Sequence, residues 1–295
     1  MKLKTCRLLL AVLLLGACGS GGSLPPLPGE TLQLALEDAW QGYARGKPNF
    51  GGGVAMQIFS PQGDYFLSTG MGEQMTNLHH FRAASCTKTL TAAAIMLLYQ
   101  RGLLEIEDRI TANIPSTNTP YVPATADYDI PNKDQITIRM LLMHRAGVFD
   151  VANDNLPPAV PPPFGGRTYL DVILEQDPSH QFSFDELVGV AARYRLSYPF
   201  APGGDYHYSN TGYSLLGKIV ERVSGKSYAD FVRTELLVPN GLAGSSLPAD
   251  AREQGLPSPF VAGYVWDGAT LTNRTISNMS ANVAEGNLIT TPLDL

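Results

Sequence analysis

Ser85 and Lys88 stand three residues apart in "FRAASCTKTLTAAAIMLL", residues 81–98, just ahead of a long apolar run. A serine hydroxyl is a weak nucleophile at neutral pH until a neighbour takes its proton. On a helix, positions i and i+3 share a face one turn apart. A lysine held there and stripped of water loses affinity for its proton and becomes a usable base. The helix N-terminus lends positive potential to a developing oxyanion. The spacing therefore suits acyl transfer. It is also cheap, because serine commonly starts a helix, and from these two residues alone both readings stay open.

A second group lies far along the chain. "APGGDYHYSNTGYSLLGKIVERVSG", residues 201–225, holds the chain's one Tyr-x-Asn, Tyr208-Ser209-Asn210, directly before a helical pattern. A tyrosine beside a lysine can relay a proton. An asparagine amide can hold the lysine and donate to a substrate carbonyl. Gly203 and Gly204 allow the sharp turn that would return this loop to a distant site. Seen alone, the same residues also read as an asparagine helix cap with an aromatic staple.

Several elements must position these groups. Residues 31–45 predict a first helix, with Leu32, Leu34, Leu36 and Trp40 available to pack. Residues 53–70 predict a hairpin around Pro61–Asp64. Thr87 to Arg101 has few charges, which predicts a helix buried nearly all round and stopped at Gly102. Residues 136–148 predict a short helix ending in a glycine turn, and 184–196 another helix. Asn210 is the expected cap of a helix ending at Gly225, and Ser227 to Asp230 forms a capping box for the next. The proline-rich stretch 151–166 reads as an insertion or surface loop.

Together these stretches resemble the serine β-lactamase and penicillin-binding-protein superfamily, whose first motif is Ser-x-x-Lys. Tyr-x-Asn points to its class C branch, with AmpC-type β-lactamases, DD-carboxypeptidases, esterases and D-amino-acid amidases. The resemblance runs from about residue 31 to the end, through "ITIRMLLMHRAGV", "YSNTGYSLLGKIVERVSGKSYADFV" and "AEGNLITTPLDL". It implies an α/β fold of the α+β type: an antiparallel sheet flanked by helices, with a mostly helical subdomain. It makes Ser85 the nucleophile, Lys88 its base partner, Tyr208 the general base and proton shuttle, and Asn210 the group that binds the substrate and braces Lys88. The Ser85 backbone N–H would be one oxyanion donor. His144 sits where the family has a structural histidine.

One departure stands out. The family's third motif, Lys or His followed by Thr, Ser or another residue and then Gly, on a strand that lines the site, is not found after Tyr208. "TTPLDL" places Thr291 and Pro292 as a helix start with three residues after them. Both features lead to the expectation that the C-terminal part of the sheet lies beyond residue 295.

At the other end, Lys2, Lys4 and Arg7 precede the apolar run Leu8–Leu15, and "LGAC" ends at Cys18. This resembles the bacterial lipobox and predicts a signal over 1–17, a lipidated Cys18 and a tether over 18–30 before a domain over 31–295. The expected setting is the periplasmic side of a membrane, the outer membrane if Gram-negative. A net charge of −6 argues against nucleic acid as a partner.

Other features carry less. Cys86 is expected to be buried packing, and His79-His80 a loop pair. No metal-ligand spacing and no Walker, dinucleotide-binding or Gly-x-Ser-x-Gly motif is present, so no cofactor is expected. Ser116-Thr117-Asn118 and Ser280-Ala281-Asn282 are chance Ser-x-Asn matches. The expected activity is that of a serine hydrolase forming an acyl-enzyme on amide or ester bonds, with D-alanyl peptides as a candidate substrate. A true class C-type β-lactamase and a catalytically silent envelope binding protein are the alternatives.

Overall fold

The computed structural model describes residues 29–46, 51–61, 63–71, 75–266 and 268–295. The expected signal, Cys18 and most of the tether lie outside these residues. Gly29 and Glu30, read as tether, open the first helix, α1 (Gly29–Ala44). It packs on a hairpin of β1 (Val54–Ile58) and β2 (Tyr65–Thr69), and Gln33 Nε2 donates to the Ser68 carbonyl at 3.0 Å. The hairpin is antiparallel, with Val54 opposite Thr69 and Ile58 opposite Tyr65. Only Leu36 of α1 is buried; Leu34, expected to pack, is 60% exposed. One turn of a helix carries both faces, so four apolar residues at spacings of two and four cannot all face one sheet.

The chain then enters the two-residue strand β3 (Phe81–Arg82), a single 3₁₀ turn over Ala84–Cys86, and helix α2 (Thr87–Gln100). Gly102 ends α2 at φ +69°, with its N–H on the Tyr99 carbonyl and the Leu103 N–H on that of Leu98. Those two bonds form the glycine-dependent stop read from the sequence. Burial of α2 is one-sided: Lys88, Thr91, Ala94, Ile95 and Leu98 are buried, while Thr89, Ala93, Met96 and Gln100 are exposed. The expected all-round burial is thus corrected. A lack of charge does not say which face meets the core, and small residues sit readily on a surface.

Helices α3 (Ile138–Leu142), α4 (Tyr169–Gln176) and α5 (Phe184–Arg193) follow, each capped by a side-chain hydroxyl, from Thr137, Thr168 and Ser183. Between α3 and α4 the proline-rich stretch buries Val151, Leu156 and Val160 in the main core. It is therefore no mere surface loop; its apolar residues anchor it without regular secondary structure. Helix α6 (Asn210–Ser224) lies against α2, α3 and α5 and ends at Gly225, φ +70°. Ser227 caps α7 (Tyr228–Val232). Ile95 and Leu98 of α2, Val188 of α5, Leu215 and Ile219 of α6, and Phe231 of α7 share one core.

Two more ribbons complete the described residues: β4 (Tyr264–Trp266) with β5 (Leu271–Asn273), and β6 (Ile289–Thr290) with β3. The result is a mixed α/β architecture whose sheets are small and antiparallel. Thr291, expected to start a helix, accepts from the Asp294 N–H on its hydroxyl, as an N-cap does, and from the Leu295 N–H on its carbonyl. Among the described residues no helix is long and apolar enough to cross a membrane.

Candidate active site

Four separate segments meet at Ser85. The first is the passage from β3 into α2. Ala83 N–H donates to the Leu288 carbonyl at 2.9 Å, and the Thr87 hydroxyl donates to the Ala84 carbonyl at 2.7 Å. The same hydroxyl accepts from Leu288 N–H at 2.9 Å. Ala84 is held at φ +46°, a left-handed conformation costly for a residue with a Cβ. This stitching fixes the turn that exposes the Ser85 side chain at the surface.

One turn on, Lys88 is buried, at 7% exposure. Its Nζ donates to Asn210 Oδ1 at 2.6 Å and to the Glu285 carbonyl at 2.8 Å, and lies 3.5 Å from Ser85 Oγ. Desolvation pushes its pKa down, and Glu285 and Asp150 push it part of the way back.

The second segment brings Tyr208 and Asn210. Gly203 turns at φ +85°, and the loop is tied to the turn after α3 by Gly203 N–H on the Arg145 carbonyl and His207 N–H on the His144 carbonyl. Tyr208 Oη then reaches Ser85 Oγ at 2.6 Å. The Lys88 Nζ sits 4.7 Å from the centre of the Tyr208 ring. Burial pushes the Tyr208 phenol up, and its bond to Ser85 partly offsets this. The cap of α6 is Ser209, whose Oγ accepts from Gly212 N–H at 3.0 Å, rather than the expected Asn210. The Asn210 amide is engaged by Lys88 instead, so the adjacent hydroxyl takes the cap.

The third segment is the turn after α3. His144, at φ +55°, stacks on Tyr208 with centroids 4.4 Å apart, and its Nδ1 accepts from Ser209 N–H at 3.2 Å. Burial and the Lys88 charge hold its pKa down at about 4, so it stays a neutral acceptor. It does steady a turn, as the sequence suggested, and it also backs the Tyr208 ring. Nearby Asp150 is buried; its carboxylate accepts from the N–H groups of Ala152 and Asn153.

The fourth segment, residues 284–288, carries Glu285, which sequence reasoning missed. It is 1% exposed and accepts Lys88 on its main-chain oxygen. A single acid in a loop has no periodicity or partner spacing that could have marked it.

The structure thus brings Ser85, Lys88, Tyr208 and Asn210 together, while Cys18 lies outside the described residues. Cys86 is exposed, not packed as expected, because the 3₁₀ turn puts it on the open side of the chain. His79 bonds Thr76, and His80 lies 3.0 Å from the Pro259 carbonyl. Among the described residues no cluster of three or more His, Cys, Asp and Glu could hold a metal ion. Ser280 bonds around Asn278 and His180 and takes no part in the site.

A helical core beside small antiparallel sheets, with a serine, lysine and tyrosine converging at its surface, agrees with what the chain matches. Residues 49–295 match the Beta-lactamase family, and the chain belongs to it. It is 30% identical to Penicillin-binding protein 4* of Bacillus subtilis (strain 168) over 188 residues, 63% of this chain and 35% of that protein. It is 28% identical to Penicillin-binding protein 4 of Amycolatopsis lactamdurans, over 63% of this chain and 41% of that one. The chain therefore spans well under half the length of these relatives. A D-stereospecific amidohydrolase from Streptomyces sp. superposes with a TM-score of 0.70 at 23% identity, covering 89% of this chain and 70% of that one. A D-amino acid amidase from Ochrobactrum anthropi SV3, complexed with L-phenylalanine amide, gives 0.64 at 25%, covering 90% and 66%.

Proposed function

We propose that this protein is a serine hydrolase that cleaves amide or ester bonds through an acyl-enzyme on Ser85. The observation that carries this is the bonding of Lys88. Two short acceptors, Asn210 Oδ1 at 2.6 Å and the Glu285 carbonyl at 2.8 Å, suit the two N–H bonds of a neutral amine. The lone pair then faces Ser85 Oγ, 3.5 Å away. Tyr208 donates to the same oxygen, which leaves the Ser85 proton free to turn toward Lys88. Attack of Ser85 Oγ on the carbonyl carbon forms the new C–O bond as the hydroxyl proton passes to Lys88, and collapse of the tetrahedral adduct breaks the bond to the leaving nitrogen or oxygen and leaves the acyl-enzyme. Tyr208, half-buried, hands its phenol proton to that leaving atom and is reprotonated by the proton that Lys88 took from Ser85. Water enters by the same route in reverse and releases the acid. The Ser85 backbone N–H serves as an oxyanion donor.

The amidases and penicillin-binding proteins among its likenesses support small amides built on D-amino acids, including D-alanyl peptides, as the substrate class. Cys18 would anchor the protein to the periplasmic side of the bacterial membrane through lipid. Replacement of Cys18 by serine, with labelled palmitate incorporation as the readout, tests that placement.

The test of the hydrolase reading is covalent labelling with a fluorescent penicillin or fluorophosphonate. The wild-type protein is expected to label and Ser85→Ala to lose the label with an unchanged circular-dichroism spectrum. Labelling that survives in Ser85→Ala removes Ser85 from the mechanism.

A further inference from the structure

Glu285 carries a carboxyl group sealed in the protein, and its main-chain oxygen receives Lys88 Nζ at 2.8 Å. Its Oε1 accepts from Ser214 Oγ at 3.0 Å and its Oε2 from Ala284 N–H at 3.0 Å. Ser214 lies one turn below Asn210 on α6, so Glu285 grips the helix that presents Asn210 while its own carbonyl receives Lys88. Neither of those side-chain bonds is to a cation. The groups facing the pair are Asp150 after α3, His144 in the same turn, Tyr208 ahead of α6, Tyr213 on α6 and Tyr228 on α7. The tyrosines are held protonated by burial and His144 is held neutral, leaving Asp150 as the other anion-forming group and Lys88 as the cation.

We infer that Glu285 is a positioning residue and the counter-charge of Lys88: its carboxylate, out of reach of solvent on the residue whose carbonyl receives the lysine, sets the pH at which Lys88 gives up its proton to become the base for Ser85. This rests on the reading of Lys88 as that base. Burial raises the Glu285 pKa and lowers that of Lys88, so the two approach a common range in which each titration step belongs to the pair. Removing the carboxylate charge leaves the lysine desolvated and uncompensated, which favours the neutral amine. The base then becomes available at lower pH.

Glu285→Gln keeps the shape. The new amide can accept from Ala284 N–H and donate to Ser214 Oγ, whose own proton can turn to the Asn210 carbonyl, 3.5 Å away. The experiment follows the ¹³Cε resonance of Lys88 against pH in protein labelled at lysine, assigned with Lys88→Arg, for wild type, Glu285→Gln and Glu285→Asp. The acid limb of Ser85 labelling by a fluorophosphonate is measured alongside. In Glu285→Gln the proton affinity of Lys88 is expected to fall about tenfold or more, and the acid limb to move down with it. Glu285→Asp, which keeps the charge, should titrate near wild type even if its rate falls. An unmoved Lys88 titration in Glu285→Gln, or a lower rate at an unchanged pH profile, overturns the proposal and leaves Glu285 a packing residue.

Wild-type protein labelled at the glutamate ¹³Cδ supplies a check that needs no variant. The Glu285 and Lys88 resonances should each also respond at the other residue's titration step, and a signal blind to its neighbour's step overturns the pairing. A moved Lys88 titration in protein that no probe acylates at Ser85 supports the pairing and sinks the nucleophile instead.

Discussion

Lys88 and Asn210, 122 residues apart in sequence, are joined by a 2.6 Å hydrogen bond from Nζ to Oδ1 inside the protein. The bond holds the lysine side chain on the Ser85 face of α2, and it does so with a neutral acceptor. A charged acceptor at the same place would stabilise the ammonium and withhold the base. Asn210→Asp is therefore expected to cost about tenfold or more in labelling rate at pH 7, with the loss recovered as pH rises. A loss of equal size at every pH would show that the amide acts on the substrate alone.

Tyr208→Phe separates the phenol from the ring. The ring would still stack on His144 and cover Lys88. Labelling should slow by roughly 10²- to 10⁴-fold, the usual worth of a positioned acid or base. The melting temperature should change by no more than about 2 °C. A rate within a factor of two of wild type would remove the phenol from the proton path.

His144 gives the fold a pH dependence of known sign. Its folded pKa, about 4, lies below the unfolded value of 6.5. Between those values the unfolded chain binds more protons, so this contribution is complete above pH 6.5 and drains away as pH falls toward 4. Asparagine tolerates the left-handed backbone at this position and does not titrate. The urea midpoint of His144→Asn should fall less than that of wild type over that interval. Parallel curves would refute the neutral histidine.

Much of the site could be read in advance, and the reasons are local. Ser85, Lys88, Tyr208 and Asn210 stand in two short motifs whose types and spacing left two readings open, and the resemblance to a known family chose between them. The ends of α2, α6 and α7 follow from Gly102, Gly225 and Ser227, whose capping chemistry is written in single residues. What stayed hidden depends on contacts between distant segments. Ser209 and Asn210 are both good caps, and only the pull of Lys88 decides between them. Leu156 and Val160 sit among prolines that read as surface, yet the core reaches them. Glu285 becomes visible only when residues 284–288 are laid against α2 and α6.

Gly217 tests how tightly that last contact is made. A Cβ there would lie 2.5 Å from Phe184 Cζ and 2.8 Å from the Ala284 Cβ. The phenyl tip can swing aside, but Ala284 is fully buried beside Glu285. Gly217→Ala should destabilise by about 1–3 kcal/mol by overpacking, against at most ~1 kcal/mol gained from helix propensity. Labelling should fall with it, because the pressure lands on the segment that receives Lys88. A stabilised, fully active variant would mean that the segment yields freely.

Ala84 gives the site a different kind of history. A glycine would rest easily at φ +46°, where alanine is held against its preference by the bonds of Ala83, Thr87 and Leu288. Such a bend persists only while its surroundings insist on it. A variant that loosened those bonds would relax first at the residue before Ser85, with the rest of the core still standing. Robustness of the whole and accuracy at one atom are therefore separable in this protein. Selection for one need not preserve the other, and a well-folded relative with a relaxed Ala84 would be a scaffold open to a new use.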